Sequence, residues 1–310
     1  MSSMSIPQRL AAIDVGSNAI RLVIGGLDAH GDITILKKVR EPVRLGQDVF
    51  STGELSEKTR EKAIDAFVKF KSHIKDGDIK AVRAVATSAL REAKNRDAFV
   101  ADVKAASGIQ IDIIDGIEEG RLIFGAVSHR VNLNDKVALL IDIGGGSVEL
   151  TIADHGHPVA TQSFKLGTVR LLQEIAKRGL QEKALRPMIE ELMGPARDFI
   201  KKETRSLHVD LAIGTGGNFE TMGKLRVAIL HKSSIFSMTA NEIGDLAAHL
   251  ETMTVKERIQ YLRLRPDRAD VIIPASHVTR AVMEVAQTDV LNIPYVGLRD
   301  GILNDLGSKL

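Results

Sequence analysis

Two segments that lie 128 positions apart carry the same pattern, and this repeat limits the fold more than any other feature of the chain. The first segment, Ile13–Leu22, reads IDVGSNAIRL, and the second, Ile141–Leu150, reads IDIGGGSVEL. Each predicts a buried strand that ends in an aspartate, then a tight loop of small residues and a second strand. We therefore expect the chain to contain the same hairpin twice.

The loops of the two hairpins are candidates for phosphate binding. A loop that points successive backbone N–H groups at one anion needs positive φ angles and no Cβ atoms in the way, and glycine provides both. One such loop is equally typical of a plain glycine hairpin. Two copies, each beside an aspartate (Asp14 and Asp142), favour a two-sided clamp for phosphate and metal. The loop residues are Gly16, Ser17 and Asn18 in the first copy and Gly144, Gly145, Gly146 and Ser147 in the second.

The composition is that of a globular protein with about two domains. The 310 residues exceed what one hydrophobic core usually organises, and 44% of them are hydrophobic and 26% charged. A formal net charge of +2 is too balanced for a general nucleic-acid or membrane-surface binder, so neither partner is expected. The absence of cysteine excludes disulfides, thiolate nucleophiles and cysteine-rich zinc sites. With no apolar run of about 20 residues and no leader pattern, we expect a soluble, uncleaved, cytoplasmic protein.

Hydrophobic periodicity between the two hairpins predicts alternating strands and helices. Ser56 is expected to cap a helix whose apolar residues recur at helical spacing as far as Ile74. A strand at Ala81–Ala86 would deliver the following residues, including Arg91, to a loop or helix start. The other elements predicted here are strands at Ile33–Val39 and Ile109–Ile114, a helix at Asp97–Ala106 that ends at Gly108, and a helix over residues 115–127 with Glu118 and Glu119 in its first turn.

The second half repeats this plan. It predicts one long helix at about Gln181–Thr204 and another at Asp267–Gln287, in which Pro274 is expected to cause a kink or mark the true start. The other predicted elements are strands at Val137–Ile143, Val148–Ala153, Val159–Phe164, Val209–Ile213 and Val290–Ile293, a helix from Thr168, a helix after the loop Gly214–Asn218, two further helices, and a terminal helix at Gly297–Leu306.

This ordered set of motifs resembles the exopolyphosphatase and guanosine pentaphosphate phosphohydrolase family, Ppx/GppA, of the actin, Hsp70 and sugar-kinase superfamily. The segments that carry the resemblance are IDVGSNAIRL (Ile13–Leu22), ATSALREAKN (Ala86–Asn95), GIEEGRLIF (Gly116–Phe124), IDIGGGSVEL (Ile141–Leu150), KLGTVRL (Lys165–Leu171), GTGG (Gly214–Gly217) and GLRDGIL (Gly297–Leu303). The resemblance implies an α/β fold class with two related actin-like (ribonuclease H-like) domains flanking a cleft. Domain I would span residues 1–125, with a C-terminal helix of about 296–310 packing back on it, and domain II residues 126–295. At this length the chain resembles the short, two-domain members.

The resemblance also implies residues for catalysis and metal binding. Hydrolysis of a phosphoanhydride requires an in-line water, a group that activates this water, and neutralisation of charge on the transferred phosphoryl group. Glu119 aligns with the family's water-activating carboxylate, and its neighbour Glu118 is the rival candidate. Asp142 and Glu149, seven positions apart on either side of the GGGS turn, are implied ligands of Mg²⁺, with Mn²⁺ as the alternative ion. Asp14 is the matching carboxylate of the first domain, expected to bind metal through water or to shape its loop.

Phosphate binding is expected from backbone amides, small side chains and two arginines. The loops of both hairpins should hold terminal phosphates, and Arg21 and Arg91 could add charge-assisted contacts, unless they are solvated surface arginines. A third loop opens a helix, whose free N–H groups and positive end favour an anion. The residues of this third loop are Gly214, Thr215, Gly216 and Gly217.

Three positions depart from the family pattern. Ala19 replaces a hydroxyl residue and could weaken one phosphate contact, Gly120 replaces a common alanine, and Asn218 replaces a threonine. None of these departures removes a carboxylate needed for hydrolysis. His208 and His277 lie outside the motif segments and are not candidates for the site.

The function that the resemblance implies is an exopolyphosphatase, which hydrolyses terminal phosphoanhydride bonds of inorganic polyphosphate and releases orthophosphate. The alternative is hydrolysis of the 5′ γ-phosphate of guanosine pentaphosphate, pppGpp. A non-catalytic sensor of polyphosphate or alarmone is a third hypothesis, against which the retained Glu119, Asp142 and Glu149 argue. A sugar-type kinase would need an acceptor pocket and an aspartate base, for which the sequence has no motif.

Two basic stretches could bind a long polyphosphate chain, although each is more typical of a solvated charge run. They are Lys37–Arg44 and Leu262–Arg268. A homodimer is the assembly that the resemblance implies.

Overall fold

A computed structural model describes residues 8–310 of the chain. Backbone contacts divide the chain into two units. Unit 1 comprises Met1–Ala126, described from residue 8, together with Leu298–Leu310, and unit 2 comprises Val127–Gly297. Each unit has its own sheet and its own helices, which confirms the predicted α/β class. A division by contacts does not show which parts of the chain fold independently. The predicted domain boundaries therefore stay a prediction.

The sheet of unit 1 is built around the first predicted hairpin. Its strands are β1 (Gln8–Val15), β2 (Ile20–Leu27), β3 (Ile33–Glu41), β4 (Ile79–Ala86) and β5 (Ile111–Ile113), in the order β3-β2-β1-β4-β5. β1 to β3 are antiparallel, whereas β4 is parallel to β1 and β5 is parallel to β4. The central strand β1 is buried from Leu10 to Val15, as its continuous apolar run predicts. Because parallel strands end on the same side, the carboxyl ends of β1, β4 and β5 share one edge of the sheet.

The helices of the first part of unit 1 follow their local signals. Their ranges are α1 (Leu45–Thr52), α2 (Glu57–Asp76), α3 (Ser88–Glu92), α4 (Arg96–Ser107) and α5 (Gly116–Ser128). Ser56 caps α2 by accepting a hydrogen bond from the Thr59 amide at 3.3 Å, and α4 ends at Gly108 with φ 76°. The sequence did not predict α1, because its cap residue, Arg44, offers no side-chain acceptor to the helix.

The sheet of unit 2 repeats this topology. Its strands are β6 (Val137–Ile143), β7 (Val148–Asp154), β8 (His157–Phe164), β9 (Leu211–Thr215), β10 (Ser237–Thr239) and β11 (Val290–Asn292), in the order β10-β11-β9-β6-β7-β8. β6 to β8 are antiparallel, β9 is parallel to β6, and β11 is parallel to β9. Taken from the other end, β8-β7-β6-β9-β11 has the same order and the same directions as the five strands of unit 1. The two units are therefore related, as the duplicated hairpin predicts, and β10 is an addition at one edge.

The helices of unit 2 correct one prediction and confirm part of another. Their ranges are α6 (Thr168–Lys177), α7 (Leu185–Leu192), α8 (Gly194–Glu203), α9 (Gly217–Leu230), α10 (Ala240–Glu251), α11 (Val255–Leu262), α12 (Pro266–Ala269) and α13 (Ile272–Ala286), with a 3-10 turn at Glu182–Ala184. The long helix expected at Gln181–Thr204 is divided, because Pro195 has no amide to continue the helix and lies in the first turn of α8. The residues expected to form one helix at Asp267–Gln287 form α12 and α13. Pro274 lies in the first turn of α13, where a missing amide costs no hydrogen bond, so the expectation that Pro274 marks the true start is confirmed.

The last helix of the chain, α14 (Leu298–Gly307), belongs to unit 1, where it packs against β1 and β4. Ile302 and Leu303 of this helix are fully buried. Unit 2 has a separate core of aliphatic and aromatic residues from its strands and the surrounding helices. Within residues 8–310, no helix combines the length and the apolar character that crossing a bilayer requires.

Candidate functional site

The hairpin of unit 1 places an aspartate beside an arginine. Asp14 at the end of β1 lies opposite Arg21 of β2, so both side chains leave the same face of the sheet. Arg21 Nη1 donates to Asp14 Oδ2 at 2.8 Å, and the Arg21 side chain is only 18% exposed, so it is not a solvated surface arginine. The Gly16 amide closes the loop by donating to the Ala19 carbonyl at 3.2 Å. Asp14 thus holds the guanidinium of Arg21, and its part in metal binding stays a prediction.

The glycine that packs against the second loop, Gly167, is explained by the close approach of two backbones. Gly16 and Gly144–Gly146 all lack a positive φ angle, so that part of the prediction is wrong. Gly167, the cap residue of α6, packs against the second loop. A Cβ atom on Gly167 would lie 2.3 Å from the Gly146 nitrogen and 2.4 Å from the Ser147 nitrogen, which is too close for any side chain.

Arg91 and Glu119 meet in unit 1. β4 leads into α3, which carries Arg91, and β5 leads into α5, which carries Glu119 in its first turn. Arg91 Nη1 donates to the Ile114 carbonyl at 2.7 Å and to Glu119 Oε2 at 3.1 Å. Glu119 is 4% exposed. The edge of the sheet where the parallel strands end therefore carries a buried carboxylate held by a guanidinium, which no single sequence segment predicts.

Glu118, the rival of Glu119, is committed to a different set of contacts. Arg121 donates to its two oxygens at 2.6 and 2.9 Å, and Arg83 Nη2 donates to Glu118 Oε1 at 3.1 Å. The hydrogen bonds from Arg121, followed by that from Arg83, hold the pKa of Glu118 below its usual range. A carboxylate with a lowered pKa that is held by two guanidinium groups is a weak base. Glu118 is therefore the weaker candidate for a general base, and the role of Glu119 stays a prediction.

The hairpin of unit 2 places two carboxylates together. Asp142 on β6 lies opposite Glu149 on β7, and oxygens of the two side chains lie within 4.8 Å of each other. Thr215 Oγ1 donates to Asp142 Oδ1 at 2.6 Å, and Ser163 Oγ donates to Glu149 Oε1 at 2.6 Å. Each carboxylate is thus oriented by a hydroxyl group from a neighbouring strand, β9 or β8.

The backbone of the second loop is turned so that its carbonyls face α6. The Gly144 carbonyl accepts from the Thr168 amide at 3.1 Å, and the Gly145 carbonyl accepts from the amides of Val169 and Arg170 at 2.8 and 3.0 Å. Arg170 Nε donates to the Gly146 carbonyl at 2.8 Å. By contrast, the amides of Gly145, Gly146 and Ser147 have no backbone acceptor within residues 8–310. Successive amides of this kind form an anion-binding concavity.

The third predicted loop lies beside Asp142 in unit 2. Gly216 has φ 85°, and a Cβ atom on it would lie 3.1 Å from Asp142 Oδ1, so glycine is required at this position. Asn218 Nδ2 donates to the Ile143 carbonyl at 2.8 Å, and Arg268 Nη1 donates to Asn218 Oδ1 at 2.6 Å. Asn218, a departure from the family pattern, therefore joins the third loop to the second.

Two residues outside the site also have clear structural roles. Arg268 is 5% exposed, so the stretch Leu262–Arg268 is not simply a solvated charge run. His277 is largely buried, and its Nε2 lies 2.7 Å from Glu251 Oε1. This contact is consistent with leaving His277 out of the site. Within each unit the structure gathers the predicted residues at the edge where the parallel strands end.

A model of the Ppx/GppA phosphatase family matches residues 23–309. The chain belongs to this family. Exopolyphosphatase 2 of Mycobacterium tuberculosis is 30% identical over 320 residues, which cover 95% of this chain and 97% of the relative. The guanosine-5′-triphosphate,3′-diphosphate pyrophosphatase of Photobacterium profundum is 28% identical over 97% of this chain, but the chain spans only 59% of that relative's length. The crystal structure of an exopolyphosphatase from Cytophaga hutchinsonii superposes with a TM-score of 0.86 at 25% identity, covering 98% of this chain and 99% of that one.

Ppx/GppA membership makes the facing carboxylates of unit 2 a candidate site for a divalent cation. Asp142 and Glu149 offer oxygen donors from two adjacent strands, and oxygen donors are the ligands that Mg²⁺ and Mn²⁺ prefer. The hydroxyl groups of Thr215 and Ser163 donate hydrogen bonds to these two carboxylates and orient them, as outer-shell groups usually do at metal sites. The donor set therefore fits the cation that the family resemblance implies.

Proposed function

We propose that the chain is an exopolyphosphatase that removes terminal phosphate groups from inorganic polyphosphate. The observation that carries this proposal is the facing pair Asp142 and Glu149 beside a loop whose successive amides have no backbone acceptor among the described residues, in a chain of a phosphatase family. The relatives favour polyphosphate over pppGpp as the substrate, because this chain covers 97% of the mycobacterial exopolyphosphatase 2 but only 59% of the pyrophosphatase from Photobacterium profundum.

The proposed reaction is in-line hydrolysis. A water oxygen attacks the terminal phosphorus atom, the bond from this atom to the bridging oxygen breaks, and orthophosphate leaves a chain one unit shorter. Glu119 accepts the proton of the attacking water, while Arg91 holds the carboxylate of Glu119 in place. When Mg²⁺, or Mn²⁺ in its place, is bound by Asp142 and Glu149, it supplies neutralising charge to the phosphoryl group.

Phosphate groups are proposed to bind at the loops. The amides of Gly145, Gly146 and Ser147 and the loop Gly214–Gly217 serve this purpose in unit 2, and the loop Gly16–Asn18 serves it in unit 1. Arg21 and Arg91 add positive charge. Asp14 is proposed to orient Arg21 through its ion pair, in addition to any metal contact through water. We further propose that the enzyme is a cytoplasmic homodimer, which sedimentation and fractionation would test.

The deciding experiment measures phosphate release from long-chain polyphosphate and from pppGpp, with Mg²⁺ and with EDTA. We expect faster release from polyphosphate, lost in EDTA. Glu119→Gln should lower kcat by about 10²- to 10⁴-fold, the usual contribution of a general base. Glu118→Gln is the matched control and should lower kcat by about 10-fold or less.

Three outcomes would contradict the proposal. A preference for pppGpp would establish the alternative substrate. An equal loss of kcat in the Glu118 and Glu119 variants would show that Glu119 is not the general base. No release from either substrate, with binding retained, would identify a sensor instead of an enzyme.

A further inference from the structure

The C-terminal helix α14 carries a motif that the proposed mechanism does not use. The helix begins with LRDGIL (Leu298–Leu303), and two contacts of α14, from Gly301 and from Asp305, lead directly to α5, the helix that bears Glu119. We propose that α14 positions the catalytic base: Gly301 and Asp305 fix α5 so that the carboxylate of Glu119 is held at the attacking water. This inference rests on the proposed role of Glu119.

The first contact is between the two backbones. A Cβ atom on Gly301 would lie 2.0 Å from the Leu122 carbonyl oxygen and 2.6 Å from the Leu122 carbonyl carbon. No side chain fits there, so α14 touches the main chain of α5 directly. Leu122 follows Glu119 by three positions and therefore lies one turn further along the same face of α5. The closest approach of α14 is thus one helical turn from the base.

The second contact is a ring of charged groups. Asp305 Oδ1 accepts from Arg121 Nη2 at 3.0 Å, and Asp305 Oδ2 accepts from Arg83 Nη1 at 2.8 Å. Both arginines also donate to Glu118, the residue next to the base. The side chains of Arg83 and Asp305 are 19% and 11% exposed, so solvent screens this pair weakly, whereas Arg121 is more exposed and its pair is screened more.

Both contacts come from one face of α14. Gly301 and Asp305 are four positions apart and therefore lie one above the other on the helix. Gly301 sets how near the helices lie, and Asp305 fixes their relative rotation and register through the arginines. Arg91 holds the carboxylate of Glu119 itself. An error of about 1 Å in the position of a reacting group can cost roughly 100-fold in rate, so a fixed α5 has a direct catalytic value.

A merely structural role for α14 has to be separated from a positioning role, because Ile302 and Leu303 also fill the core of unit 1. Asp305→Asn keeps the shape of the side chain and removes its charge. We expect kcat for polyphosphate to fall about 10-fold with KM within about 2-fold, measured at 25 °C on protein shown to be folded by circular dichroism. Asp305→Glu should recover most of kcat, because a carboxylate can still reach both arginines.

The matched control is Asp102→Asn, which breaks the ion pair of Asp102 with Arg60, also in unit 1 but away from α5. Its kcat should stay within about 2-fold of the wild type. A lower melting temperature in Asp305→Asn with unchanged kcat would overturn the inference and leave α14 a packing element. Arg121→Gln, which cuts the same ring from the side of α5, should repeat the loss of kcat seen with Asp305→Asn.

A double variant separates this inference from the proposed function. If Asp305 acts through Glu119, adding Asp305→Asn to Glu119→Gln should change kcat by less than about 2-fold, whereas independent effects would multiply. An unchanged kcat in Glu119→Gln alone would contradict the proposed function. A large loss in Glu119→Gln with none in Asp305→Asn would overturn only the positioning role.

Discussion

At Asp142, one hydroxyl group sets the direction in which the carboxylate faces. Thr215 is fully buried and donates to Asp142 Oδ1 at 2.6 Å. Thr215→Val removes this donor and keeps the shape of the side chain. Outer-shell partners of metal ligands are typically worth 10- to 100-fold in metal affinity. We therefore expect the Mg²⁺ concentration for half-maximal phosphate release to rise about 10-fold, with kcat at saturating Mg²⁺ changed much less.

Thr221→Val is the control for this prediction. The Thr221 hydroxyl bonds to the Gly217 carbonyl inside α9 at 2.7 Å and does not reach Asp142. Its removal should leave the Mg²⁺ requirement unchanged. An equal rise in both variants would show that a lost hydroxyl near the loop, and not the orientation of Asp142, sets the metal affinity.

The two copies of the hairpin differ at one decisive position. Arg21 lies opposite Asp14 in the first copy, and Glu149 lies opposite Asp142 in the second. Aspartate with arginine forms a closed ion pair, whose guanidinium is the proposed phosphate contact. Aspartate with glutamate leaves two negative charges that a divalent cation would neutralise. One exchanged residue on the same scaffold thus separates a proposed phosphate contact from a candidate metal site.

At the scale of elements, the packing of α6 on the second loop can be tested by adding a single methyl group. Gly167 has φ −65° and ψ 150°, which alanine adopts freely, so Gly167→Ala acts only through the clash with Gly146 and Ser147. We expect kcat/KM for polyphosphate to fall about 100-fold as the amides of the loop are displaced. Gly194→Ala, where a Cβ atom meets nothing within 4 Å, is the control and should leave activity unchanged. Normal activity in Gly167→Ala would show that the loop can shift to accommodate the methyl group without losing activity.

The charged ring that joins α5, β4 and α14 predicts a pH dependence of stability. The pKa of Glu118 is lowered chiefly by Arg121, and that of Asp305 is lowered because hydrogen bonds from Lys309 and Arg121 outweigh the effect of burial. The unfolded chain therefore binds more protons in acid than the folded chain. The stabilisation is complete above the unfolded pKa values of about 4 and is lost as the pH falls through the lower folded values.

The measurement is urea unfolding between pH 7 and pH 3, followed by circular dichroism. The Glu118→Gln/Asp305→Asn double variant should be less stable than the wild type at pH 7, and this difference should shrink as the pH falls. Asp97→Asn, at a side chain 94% exposed, shows the general effect of removing one exposed negative charge, of which the double variant removes two. A difference that stays the same at pH 3 would show that the carboxyls stabilise the fold without their charge.

Sequence predicts those elements whose signals are local. The hairpins β1–β2 and β6–β7 follow from apolar runs broken by small residues, and α2 follows from Ser56 and its periodic face. The choice between Glu118 and Glu119 is different, because it depends on Arg83 and Arg91, which are far away along the chain. Arg121 lies three positions from Glu118 on the same helix, so that contact is local, whereas the contacts of Arg83 with Glu118 and of Arg91 with Glu119 form only in the folded chain.

The small residues show the same limit. Gly146 and Gly167 are brought together by the packing of α6, and their contact requires glycine at position 167 although its dihedral angles do not. Positive φ angles in the loop Gly144–Ser147 were predicted from the loop sequence alone, whereas the packing of α6 against the loop is a tertiary contact. The division at Pro195 could have been predicted, since a proline that lacks an amide belongs in the first turn, and the same rule underlies the expectation that Pro274 marks the start of α13.

At the scale of the whole molecule, the location of both proposed metal ligands in unit 2 has a thermodynamic consequence. A ligand that binds only the folded state stabilises it by about 2.7 kcal/mol at 100 times its dissociation constant. For a unit of this size, each kcal/mol raises the melting temperature by roughly 2–4 °C. Calorimetry should therefore show the transition of unit 2 rising by about 5–10 °C in saturating Mg²⁺.

Variants connect this shift to particular carboxylates. The Asp142→Asn/Glu149→Gln double variant should lose the shift, whereas Asp154→Asn, at the far end of β7, should keep it. Asp14→Asn then tests the remaining implied ligand: a smaller shift would include Asp14 in the metal site, and an unchanged one would confine it to its ion pair with Arg21. If the double variant kept the full shift, the cation would bind elsewhere, and the facing carboxylates would need another explanation. Because the assay needs no substrate, it tests the metal site independently of the choice between polyphosphate and pppGpp.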